Sequence, residues 1–152
     1  MIPAILLGLA LLGLLVSVAA HALSFLGVAL VREHSAITLH FGMLILGVAA
    51  AASVSATVSR CASGTRVFWR RHLPAWMRMV WLILFVNGFA TIGWAIWSKF
   101  SGEKALDEMA GRAMANRIFG AGWMFLYAML AGLFYAVFDC HRKGSERADR
   151  DE

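Results

Sequence analysis

The chain has 152 residues, of which 61% are hydrophobic and only 15% charged, and its formal net charge is +5. Soluble domains run nearer 45–50% apolar and about 25% charged, and a chain of about 150 residues buries only about 70% of its surface. So much apolar surface excludes a soluble enzyme, and it equally excludes a disordered chain; the composition predicts an integral membrane protein.

Four stretches have the roughly 20 apolar residues that a bilayer crossing needs. The first runs from Ile2 to Val31 without a charge. Within it, Ala20-His21-Ala22 fits the small-x-small form of a signal-peptidase site. However, no Lys or Arg precedes it, and apolar residues continue well past Ala22, beyond a signal core of about 7–15 residues. Retention as a first helix is expected. At that length the helix should tilt or protrude.

The second stretch covers about Ala36 to Val58. Gly47, Ala51, Ser55 and Ser59 recur every fourth residue along it, a small-residue stripe of the kind that lets helices approach closely in lipid. The stripe is expected to face another helix, within the bundle or in a partner. The third stretch covers about Trp76 to Trp97, with Arg78 near its start, and the fourth about Ile118 to Phe138, where Ala128, Gly132 and Ala136 form a second seam. Each stretch must be helical, because lipid offers no partner to a free backbone N–H or C=O. The expected fold is all-α: an up-and-down bundle of four transmembrane helices in one domain, residues 1–140, followed by a polar tail, 141–152.

Between the third and fourth spans, Leu106, Met109, Ala110, Ala113 and Met114 share one helical face. Lys104, Glu108 and Arg112 are spaced as i,i+4 charge pairs. With Ser101 as a plausible N-cap, this segment reads as a short amphipathic helix or a protruding start of the fourth. The tail, too polar to bury, is expected to be disordered or frayed.

Basic residues set the orientation. Arg60, Arg66, Arg70, Arg71, Arg78, Arg142, Lys143, Arg147 and Arg150 fall on the side of the N-terminus; Arg32, Lys99, Lys104, Arg112 and Arg117 fall on the other. Nine against five places both termini in the cytoplasm. The basic segments suit anionic headgroups, and no motif points to nucleic acid. The six tryptophans (Trp69, Trp76 and Trp81 on the inner side, Trp94, Trp97 and Trp123 on the outer) read as an interfacial aromatic belt. Cys61 and Cys140 end the second and fourth spans on one face. In a reducing cytoplasm they would be free thiols; in the inverted orientation they would be able to pair.

Ionisable groups in lipid are the usual markers of proton relays and ion pathways. No Asp or Glu falls within the four spans, and no catalytic motif appears. His72 and His141 sit in polar segments and read as incidental. His21 and His40, on neighbouring helices, are the one pair suited to haem, as axial ligands; their depths differ by roughly 5 Å at 1.5 Å per residue. Glu33, His34 and His40 lack a characteristic metal spacing, and no cofactor is expected. Instead, Ser17, His21 and Ser24 on the first helix, Asn87 and Thr91 on the third and Tyr127 on the fourth are expected to form an interhelical polar network, in which each bond stabilises by about 0.6 kcal/mol.

Two phrases, Pro74-Ala75-Trp76-Met77 and Phe119-Gly120-Ala121-Gly122-Trp123-Met124-Phe125-Leu126-Tyr127, resemble a pattern in an uncharacterised family of small four-span bacterial membrane proteins. The resemblance implies a four-helix membrane fold and names no activity or cofactor. The functional expectation is a small non-enzymatic protein of a bacterial inner membrane. It would act by binding another membrane component, as an accessory or assembly subunit or as an immunity-type protein. A haem or redox protein using His21 and His40, and a small oligomeric transporter or channel, are the alternatives.

Overall fold

The structure, a computed structural model, describes residues 2–28, 33–60, 65–100 and 108–151. Those residues form five helices: α1 (Ile2–Ser24), α2 (Glu33–Arg60), α3 (Thr65–His72), α4 (Ala75–Phe100) and α5 (Glu108–Asp151). α1, α2, α4 and α5 each contain a stretch long and apolar enough to cross a membrane, as length and hydropathy required. This is an all-α, multi-pass membrane protein.

The bundle is built around one helix. α1, α2, α3 and α4 all pack on α5. Of the 18 most apolar consecutive residues of α5, 61% are buried, against 6% for those of α4. The residues of α5 explain this: Ala121, Ala128, Ala131 and Ala136 alternate with Trp123, Tyr127, Leu130 and Phe134, all buried. Small residues admit neighbouring helices, while large ones fill the gaps between them. The main core joins Ala10 and Ala20 of α1 and Leu46 and Ala50 of α2 to Trp123, Tyr127, Leu130, Ala131 and Phe134 of α5.

α1 is shorter than its apolar run. It stops at Ser24, where Val28 N–H bonds to Leu23 O (3.1 Å) and Gly27 N–H to Ser24 O (3.2 Å). This is a Schellman end, and Gly27 takes the left-handed conformation it needs, at φ 75°. The helix is therefore shorter than the apolar run predicts. The 23 residues of α1 span about 35 Å at 1.5 Å per residue, close to the bilayer's own thickness.

Two further expectations change. α5 is one continuous helix of 44 residues. It takes in the segment before the fourth span as a protruding start and carries 141–151 as helix, not as a frayed tail. Asp139 assists by pairing with Arg142 and Lys143 one turn on (3.2 and 2.7 Å). α3 is an additional helix in what reads as a loop. Residues 101–107, the first half of the amphipathic segment, lie outside the described residues.

Candidate functional site

The polar side chains collect at the two ends of α5. At one end, α1 and α5 clasp each other reciprocally. His21 donates through Nδ1 to Arg117 O (2.9 Å), and Arg117 Nη2 donates to Ser24 O (3.0 Å). A carbonyl only accepts, so Nδ1 carries the proton; in the neutral ring Nε2 is then the acceptor. It faces the Asn87 amide of α4 at 3.5 Å, a long bond. Close approach makes the clasp feasible: a Cβ at Gly120 would lie 3.0 Å from His21 Cβ and 3.1 Å from its Cα and N. The Arg117 guanidinium is stacked between Phe25 (4.2 Å) and Trp94 (4.7 Å). Its charge sits at the carbonyl end of α1, where the helix dipole favours a cation. Arg117 Nε is buried without a hydrogen-bond partner among the described residues.

The expected network is thus only partly drawn together. His21 meets Asn87, but Thr91 bonds back to Asn87 O, Ser17 to Gly13 O and Ser24 to His21 O within their own helices. Tyr127 reaches α2 instead, donating to Leu39 O at 2.9 Å. Arg117, read from the sequence as a loop cation, is the residue that completes the clasp. The available signal was its place one turn before Gly120-Ala121, where a long side chain reaches the end of a neighbouring helix.

The haem alternative finds no support in this geometry. Both nitrogens of His21 are engaged, and His40 stands edge-on to Trp123 (5.1 Å) and Phe119 (5.9 Å). Among the described residues no three His, Cys, Asp or Glu side chains gather as a metal site; the side chains of Glu33 and His34 lie outside that description.

The other end of α5 corrects the sequence reading more sharply. His72 is not incidental. It is buried and donates through Nδ1 to Asp139 Oδ2 at 2.9 Å. Asp139, also buried, follows directly on the predicted fourth span, at the polar end of α5. It is buried because α3 folds over it, with Phe68 packed on Ala136 and Val137. Among the described residues no hydroxyl or thiol is bonded to His72. Cys140 is not a free thiol either; it is disulfide-bonded. Cys61 lies outside the described residues.

No protein family, curated protein or solved structure matches the chain. Function rests on the geometry alone.

The two small-residue stripes part company. Ala128, Gly132 and Ala136 are buried. Trp81 of α4 packs against Gly132, and its indole donates to Ala128 O at 2.9 Å. Among the described residues no helix covers the stripe on α2. Ala51, Ser55 and Ser59 are exposed, Gly47 is half-buried, and a Cβ at Gly47 would meet nothing within 4 Å. α2 instead packs on α5 through Leu46, Ala50 and their neighbours. The seam that α1 buries, Ala10, Gly13, Ser17, Ala20 and Ser24, went unread, although its alternating spacing of three and four is the helix-contact period. The aromatic belt is also incomplete. Trp76, Trp94 and Trp97 are exposed, whereas Trp81 turns inward and Trp123 is buried, its indole N–H unpaired among the described residues. The side chain of Trp69 lies outside the described residues.

Proposed function

We propose that this protein acts without catalysis, by binding another membrane component along the outer stripe of α2. The observation that supports this reading is the exposure of Ala51, Ser55 and Ser59 on a helix whose opposite side is already packed on α5. In lipid, small residues bring no gain by facing acyl chains; their benefit comes from a second helix at close range, through van der Waals contact and hydroxyl bonds. This arrangement suits an accessory or assembly subunit, or an immunity-type protein, because α2 is held on α5 by one side and open on the other. The polar ends of α5 fit a supporting role, since each fastens one helix to the hub.

The proposed setting is a bacterial inner membrane with both termini cytoplasmic, on the count of basic residues. The disulfide at Cys140 opposes that orientation, because such bonds persist in oxidising compartments. A reporter fused after residue 152 decides between them: activity inside supports the proposed orientation, and activity outside inverts it.

The binding reading is tested by recovering the full chain from native membranes in mild detergent, beside an Ala51→Leu/Ser55→Leu variant. The expected result is one stoichiometric membrane protein, or a second copy of this chain, held by the parent and lost from the variant. Recovery of the parent chain alone, or equal retention by both, overturns the proposal.

A further inference from the structure

Partner binding through α2 leaves the arginines of α3 unused. α3 has two faces. Phe68 and His72, one turn apart, are buried, while Arg70 and Arg71 are exposed. The bond from His72 to Asp139 fixes this orientation on α5. Asp139 is itself fully engaged, taking His72, Arg142 and Lys143. Among the described residues, no carboxylate lies within ion-pair distance of Arg70, Arg71 or Arg78. α3 stands between the spans of α2 and α4, where the chain leaves the apolar layer, and Trp76 beside it is exposed. Arg78 is followed at once by exposed apolar residues, Met79, Val80 and Leu82.

We propose that Arg70 and Arg71 of α3, with Arg78 of α4, bind the phosphate of an anionic phospholipid whose acyl chains lie along α4. Three cations with no carboxylate partner among the described residues attract an anionic headgroup. Arginine presents a fork of N–H donors suited to phosphate oxygens. The apolar flank of α4 commits the site to a lipid and not to free phosphate, because a soluble anion has no use for it. The pairing of His72 with Asp139 is the tether that holds the cations at this height.

The test uses the full-length protein in neutral detergent, titrated with phosphatidylglycerol, phosphatidylcholine or inorganic phosphate and read by native mass spectrometry. Phosphatidylglycerol is expected to bind in preference to phosphatidylcholine. Each basic residue near an anionic surface contributes roughly fivefold, so Arg70→Gln/Arg71→Gln should weaken phosphatidylglycerol about 30-fold and leave phosphatidylcholine unchanged. Arg78→Gln alone should weaken it roughly fivefold, which covers the case of a misfolded double variant. Arg112→Gln, at the far end of the molecule, should have no effect. Equal binding of the two lipids, an equal loss from Arg112→Gln, or displacement of phosphatidylglycerol by millimolar inorganic phosphate would each overturn the proposal.

Discussion

Replacing Gly13 with alanine tests the packing at its tightest point. A Cβ at Gly13 would lie 2.6 Å from Tyr127 Cζ, with Cδ1 and Cε1 closer still. Carbon atoms rest at about 3.5–4.0 Å, so the ring must retreat by about 1 Å. It is not free to do so: its hydroxyl holds Leu39 O at 2.9 Å and would sit 3.3 Å from a Cβ at Gly42. Overpacking of this kind costs about 1–3 kcal/mol. Loss of the hydroxyl bond adds about 0.6 kcal/mol, at most about 2. The better helix propensity of alanine offsets about 0.8 kcal/mol. The net expectation is a loss of about 1–4 kcal/mol. Gly8→Ala and Gly47→Ala, whose added Cβ would meet nothing within 4 Å, should be neutral or slightly stabilising. Reversible unfolding in mixed dodecylmaltoside and SDS micelles measures all three. Tyr127→Leu should then absorb most of the penalty, so that Gly13→Ala costs little in that background. If Gly13→Ala unfolds at the same SDS fraction as Gly8→Ala, the close contact of α1 with Tyr127 is wrong.

Gly132→Ala should loosen α4 in the same way, since the new methyl would strike Trp81 and approach Leu73 Cδ1 at 3.3 Å; a loss of about 1–3 kcal/mol is expected, seen as faster hydrogen exchange in 75–100. Arg117→Ala removes a cation and a hydrogen bond from the end of α1 and should cost about 1–2 kcal/mol in the same micelle titration; Arg117→Lys should recover only part of it, because lysine cannot reproduce the stacked guanidinium. His72→Ala leaves Asp139 with Arg142 and Lys143 but unfastens α3. Limited proteolysis should then cut within 65–72 while the four spans stay resistant, and an unchanged digest would show that the His72–Asp139 bond does not hold α3.

Hydropathy made the four spans legible because it reports solvent, and lipid demands long apolar helices. It does not report neighbours. Gly13 and Gly47 look alike in sequence, yet one receives an aromatic ring and the other lies open; inside and outside of a bundle in lipid are equally apolar, so no polar face marks the difference. The turn at Gly27 was hidden by the apolar residues that follow it, although a glycine after a helix is a stop signal. α3 is not legible in the sequence because eight residues rich in arginine resemble a connector, and its stability comes from burying Phe68 and from pairing His72 with Asp139, 67 residues away. The extent of α5 is hidden for a related reason: its ends are polar and carry no apolar signal, yet the helix runs on. At the candidate sites, His21 and Asn87 are legible as polar side chains inside apolar spans. Arg117 is not, because its contact depends on where α1 ends.

The most direct measurement is a photo-crosslinking scan in native membranes, with a benzophenone amino acid placed singly at Ala51, Ser55 and Ser59 on the outer stripe of α2. The same probe at Leu82, Ile83 and Val86 on exposed positions of α4 supplies the comparison. The account predicts one discrete protein adduct from the α2 positions and only lipid adducts from α4. Lipid adducts from every position, or the same protein captured equally from both helices, would contradict it.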